Sequence, residues 1–233
     1  MIMRSKQSGF TLVEIAIVLV IIGLLLGGVL KGQELINSAK VKNMISDFRT
    51  TSTFIYAYQD KFRALPGDDA AAAAHVGATV VQVAIAGSAV GDGRINGNWN
   101  SLTRTEESYL FWEHVRRAGL ASGTTTVPAA PALGDDYNAR NADGGRLGIT
   151  GVAPIAGWTG TSFICSSGIQ GKLARQIDTT MDDGDTLTGT VRVLTTANVI
   201  PSTQADAGEL ASGVGHTVTV ADDSILYTVC VQY

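Results

Sequence analysis

The chain has 233 residues, 45% of them hydrophobic and 16% charged, with a formal net charge of −4. An acidic balance of this kind gives no sign of the basic patch that nucleic-acid binding uses. Neither Cys165 nor Cys230 lies in a C-x-x-C pair of the sort used for redox work or metal capture.

The first element is a leader, MIMRSKQS, whose only charges are Arg4 and Lys6. An apolar run follows from Phe10 to Leu30, long enough to cross a hydrocarbon core as a helix. The basic N-side flank orients such a span with its start in the cytoplasm. An ordinary secretory signal has a shorter core and a small-residue cleavage site of the A-x-A kind. Here the run passes into KGQELINSAKVKNMISDF without such a site. One acid, Glu14, lies near the start of the run, which holds no Lys or Arg. A carboxylate in a bilayer costs about 2.5–3.5 kcal/mol, which makes an intramembrane acid a functional candidate. Its counter-charge is expected from another chain.

No proline interrupts the sequence between Phe10 and Leu65. Beyond the apolar run, Val41, Met44, Ile45, Phe48, Ile55, Tyr58 and Phe62 recur at three- and four-residue intervals, an apolar helical stripe. A helix over 10–60 is about 75 Å long and stops before Pro66-Gly67. Its glycines read two ways. Gly23-x-x-x-Gly27 and Gly28-x-x-x-Gly32 are spacings for close helix packing. Each interior glycine also lowers helix stability by about 1 kcal/mol relative to Ala, which favours local melting.

The remaining residues, 61–233, suffice for one domain with its own core. A short helix is expected around Asp68–His75 and turn-rich chain over Gly87–Asn100. A helix over Glu106–Ala118 has a capping-box pattern at Thr103-x-x-Glu106 and a stop at Gly119. Its apolar side is Leu110, Phe111 and Val115, with Leu120 beyond, and Arg116-Arg117 reads as solvated surface. Ser122–Leu133 reads as loop. Strands are expected at Leu147–Ile155, Thr161–Cys165, Gly189–Thr195, Thr217–Val220 and Ile225–Gln232, and a helix over Ile169–Thr180 before a turn at Asp182-Asp183-Gly184. The fold class is α+β, a long N-terminal helix on an antiparallel sheet.

There is no G-x-S-x-G, H-E-x-x-H, Walker or dinucleotide fingerprint. His75, His114 and His216 lack metal-ligand spacing, so no enzymatic activity and no firm cofactor are expected. Asp182, Asp183 and Asp185 crowd one turn and offer hard oxygen ligands suited to Ca²⁺. Asp-Gly is equally an ordinary turn signal.

The order of basic leader, Gly9, Phe10, Thr11, Leu12, Val13 and Glu14 resembles the N-terminal signal of the type IV pilin family, which includes type II secretion pseudopilins. The resemblance implies cleavage between Gly9 and Phe10 by a prepilin peptidase, methylation of Phe10, and an assembly role for Glu14. It divides the chain into a leader (1–9), a long helix (10–60, with 10–30 in the membrane and then the filament core) and a globular head (61–233). It favours melting near Gly23, although Lys31 stands where many type IVa pilins carry proline. ALPGD at 64–68, GDG at 91–93, ESYLFWEHVRRAGL and IDTTMDDG at 177–184 resemble segments of large-headed proteobacterial pilin-like proteins. Removing the leader takes two of the 17 basic residues, so 21 acidic residues face 15 basic ones in the mature chain.

The implied function is a structural subunit of a type IV pilus or related filament, serving adhesion, motility or DNA uptake. Its implied partners are other pilin subunits and an inner-membrane assembly platform, and its route runs from the inner membrane to an extracellular fibre. Two alternatives are a pseudopilin forming a periplasmic piston and a monomeric membrane-anchored binding protein. Export of the head permits a Cys165–Cys230 disulfide. Such a bridge would tie the C-terminal strand to the sheet.

Overall fold

The structure is a computed structural model that describes residues 12–84, 87–131, 137–194 and 215–233. The elements run α1 (Leu12–Phe62), α2 (Ala72–Val76), α3 (Glu107–Arg117), β1 (Leu147–Thr150), β2 (Phe163–Gln170), α4 (Gly171–Met181), β3 (Val191–Leu194) and β4 (Leu226–Gln232). The chain divides into two units, Met1–Ala39 and Lys40–Tyr233, and α1 contributes to both.

In the first unit the apolar side chains of α1 are exposed, among them Leu12, Leu24 and Leu30. In the second, α1 buries Val41, Met44, Ile45, Phe48, Ile55 and Tyr58 of the expected stripe, with Thr51 and Ser52 filling its gap and Phe62 only half-buried. The helix ends when Arg63 adopts φ 57° and donates its N–H to the Gln59 carbonyl. This left-handed stop comes three residues ahead of Pro66.

All strand pairs are antiparallel, in the order β1-β2-β4-β3. Alternation along the strands gives the sheet two apolar faces. Ile149, Ile164, Val193, Val229 and Val231 join the main core with α1, α3 and α4. Phe163, Cys165, Leu194 and Cys230 face a smaller cluster completed by Trp99, Ile155 and Trp158. Cys165 and Cys230 are bonded there, directly opposite one another on the two central strands.

Several expected boundaries change. β1 stops at Thr150, where that residue's hydroxyl accepts the Val152 N–H and Gly151 bonds to Ile95. β2 runs on to Gln170, through residues expected to begin a helix. A register shift between Ser166 and Ile169 and a left-handed Gly168 (φ 73°) carry the strand past its polar segment. Asn141 satisfies that segment by donating to Ser166 Oγ and the Ser167 carbonyl. α4 accordingly starts at Gly171.

The run Thr217–Val220 forms no strand. Gly215 makes a single bridge to Leu194, and Thr219 with Asp222 forms a capping box that starts a 3-10 turn, Val220–Asp222. α3 begins after Glu106, which makes no side-chain cap bond, so the expected Thr103-x-x-Glu106 box does not start it. Its end follows the glycine signal. Gly119 (φ 77°) donates to Arg116 O and Leu120 to Val115 O, the double bond pattern of a Schellman stop.

Candidate functional site

Residues 1–11 lie outside the described residues, and the Gly9–Phe10 joint with them. Glu14 is exposed in the first described turn of α1. Around it runs the one described helix long and apolar enough to cross a membrane, with a mean hydropathy of 2.8 over its best window and none of that window buried. Gly23, Gly27 and Gly28 lie on this helix, and a methyl group at any of them would meet nothing within 4 Å beyond the helix's own adjacent backbone. Their faces are open to another helix. The first charges beyond the run are Lys31 and Glu34, paired at 2.7 Å on the surface.

The head holds a second set of polar groups, built where α3 meets the loops before it. Asp68 accepts the N–H groups of Gly91, Asp92 and Gly93, so ALPGD and GDG, distant in sequence, form one structure. Glu107 Oε2 accepts the Asn96 N–H at 2.7 Å, whereas Oε1 has no partner among the described residues. Burial pushes Glu107 up to about 7, with Asp68 and Asp92 adding to the shift and the Asn96 amide opposing it. Two turns along α3, His114 Nδ1 accepts the Gly67 N–H at 2.9 Å. Burial lowers His114 to about 4, so its neutral ring carries the proton on Nε2.

His114 is therefore a buried acceptor. Arg116 also departs from expectation. Rather than forming solvated surface, it is buried, lies over the Trp112 and Tyr137 rings, and donates to the Ser122 carbonyl. Arg117 is held by Glu113 at 2.8 Å. Nearly the whole of α3 is enclosed, and Glu113 Oε1 accepts the N–H and hydroxyl of Thr79 from the loop beside it.

The acidic turn after α4 is grouped differently from the Asp182, Asp183 and Asp185 set. Carboxylate oxygens of Asp178, Asp182 and Asp183 lie within 4.8 Å of one another. Asp185 instead accepts the Leu187 N–H at 3.1 Å. Asp178 is fully buried, and burial, followed by the charges of Asp183, Asp182 and Asp185, pushes it up to about 7. Its place four residues before Asp182 on a helix was the available signal, because that spacing stacks two side chains on one face.

Residues 4–30 match the family model described as the prokaryotic N-terminal methylation motif. The match covers the leader from Arg4, the Gly9–Phe10 joint, Glu14 and the apolar run. It supports a type IV pilin-like or pseudopilin-like prepilin signal and points to a structural protein. No curated protein and no solved structure gives a match. The motif implies processing by prepilin peptidase and assembly into pilus-type polymers, and its apolar helix suits membrane anchoring before assembly. The long helix and four-stranded antiparallel sheet fit an α+β pilin fold.

Proposed function

We propose that this chain is a structural subunit of a type IV pilus or pilus-like filament, extracted from the inner membrane and polymerised through α1 into an extracellular fibre. The observation that carries the reading is the methylation motif running without a break into an exposed apolar helix that holds Glu14. Cleavage after Gly9 gives Phe10 an α-amine that is positively charged at neutral pH. A subunit displaced along the fibre presents that amine to its neighbour's Glu14. In a low-dielectric fibre interior the attraction is much stronger than in water, and pairing offsets the desolvation that each charge suffers alone. Glu14 then acts as a register device, and the open faces at Gly23, Gly27 and Gly28 let neighbouring helices approach.

The test is Glu14→Ala in cells, with membrane fractionation, N-terminal sequencing and electron microscopy of sheared fibres. The expected variant inserts and is cleaved at Gly9–Phe10, yet yields few or no fibres. Normal fibres from the variant would remove the docking role. A wild-type chain that still begins at Met1 in membranes would remove the processing step. Processed protein confined to short periplasmic assemblies would favour the secretion piston, and a processed monomer the anchored binding protein.

A further inference from the structure

The last turn of α4 has an electrostatic composition that the fold alone does not account for. A helix C-terminus carries partial negative charge and favours cations. α4 has no basic residue in its last turn, and its end instead gathers Asp178, Asp182 and Asp183. Two of these carboxylates have structural work. Asp182 Oδ2 accepts the N–H groups of Thr190 and Val191, joining the helix end to the start of β3. Asp183 accepts the Asp185 N–H and the Thr188 hydroxyl.

Asp178 has no such work. Its residue exposure is 0%, and neither carboxylate oxygen has a hydrogen-bond partner among the described residues. Nearby cations are engaged elsewhere: Arg175 pairs with Asp223, and Arg192 donates to the Gly189 carbonyl and lies over the Trp158 ring. A buried carboxylate with both oxygens unbonded is strongly disfavoured unless a cation or a proton meets it. Here it points to two further carboxylates.

We propose that Asp178, Asp182 and Asp183 form a Ca²⁺ site that clamps the C-terminal end of α4 to the turn leading into β3. All three donors are hard oxygens, and an ion with bonds of about 2.3–2.6 Å can bridge carboxylates at this separation. Asp178 supplies the buried ligand, Asp182 the ligand already tied to β3, and Asp183 the exposed one. Backbone carbonyls of the turn and water fill the rest of a calcium shell, which takes six to eight oxygens in flexible geometry. Mg²⁺ is a poorer match, because it holds its water and demands near-octahedral order. The site belongs to the head and stands whether or not the chain polymerises.

The test uses the full chain in detergent micelles, stripped with EDTA, and follows thermal unfolding while CaCl₂ or MgCl₂ is added. For an affinity in the range of about 10⁻⁴–10⁻³ M typical of extracellular modules, calcium at about 5 mM raises the melting temperature by roughly 2–8 °C, saturably. Asp178→Asn keeps the side-chain shape and is expected to abolish the calcium shift. Asp183→Asn, at an exposed position, is expected to weaken it, and Asp185→Asn to retain it. Calorimetric titration of the folded variants provides a second readout of the same losses. Absence of a saturable shift in the wild type, or an undiminished shift in both Asp178→Asn and Asp183→Asn, overturns the site. An equal response to magnesium at the same concentration overturns its assignment to calcium.

Discussion

Asp68 receives the Gly93 N–H at 2.7 Å across 25 residues of chain, and the same carboxylate also takes the amides of Gly91 and Asp92. Gly91 and Gly93 both have φ above 80°, a left-handed conformation open to glycine without strain. The two glycines turn successive amides towards one acceptor, and Asp68 closes the loop. Tyr58 on α1 bonds the adjacent Asp69 at 2.7 Å. The loop that caps α3 is thereby tied to the helix that forms the spine of the head.

Replacing Asp68 by Ala removes the shared, buried acceptor of three amides that belong to exposed residues. Unsatisfied buried donors cost about 1–3 kcal/mol each. Partial solvation of the loop reduces the sum to about 2–4 kcal/mol. Urea unfolding of Asp68→Ala is the check, and Asp68→Asn, which keeps one acceptor oxygen, is expected to lose about half as much. A loss below about 0.5 kcal/mol for the alanine variant would show that the loop is held by other contacts.

Glu107 gives the head a specific pH signature. Its folded value of about 7 lies above the ordinary 4.5, so the native state holds a proton that the unfolded chain has released between these values. Its contribution is fully present below about pH 4.5 and is lost as pH rises through 7. The loss reaches roughly 3 kcal/mol at most. His114 works in the opposite direction: with its folded value near 4, acidification below about 6.5 charges the unfolded chain first and destabilises the fold. The wild-type profile mixes the two, so the informative quantity is its difference from Glu107→Gln, in which His114 cancels. Gln can still accept the Asn96 N–H. The two proteins should be equally stable near pH 4, with the variant ahead by about 1–3 kcal/mol at pH 8. A difference independent of pH in denaturant titrations would contradict the buried-acid assignment.

These couplings show where sequence reading was sufficient and where it ran out. The stripe from Val41 to Tyr58 was legible because core contact repeats with the helix period. The Gly119 stop was legible because a left-handed residue after a helix has a local signature. Burial of Arg116 was not, since Trp112 lies one turn away on the same helix but Tyr137 and the Ser122 carbonyl come from chain beyond it. The passage of β2 through Ser166-Ser167-Gly168 was hidden for a similar reason. Those residues fall between the expected strand and the expected helix, and it is Asn141 that supplies hydrogen bonds to them. At the candidate sites, Glu14 stood out as an acid in an apolar run. Asp178 did not, because its significance lies in complete burial without a partner among the described residues.

The Cys165–Cys230 bridge offers the sharpest stability test. It closes a separation of 65 residues and joins directly opposed positions on the two central strands. Constraining a loop of that length contributes about 4 kcal/mol in the chain-entropy model. Both cysteines are fully buried beneath the cluster of Trp99, Trp158 and Phe163. A reductant therefore reaches the bond chiefly when the sheet opens, and thiol release in dithiothreitol should track global unfolding and accelerate with denaturant. The double variant Cys165→Ala/Cys230→Ala keeps the apolar character of the site and removes only the bridge and two sulfur atoms. It should lose about 3–5 kcal/mol in urea unfolding, with the larger losses reflecting incomplete closure of the space left behind. Rapid reduction under native conditions would place the opening step locally, at β4, and would assign less of the head's stability to the bridge.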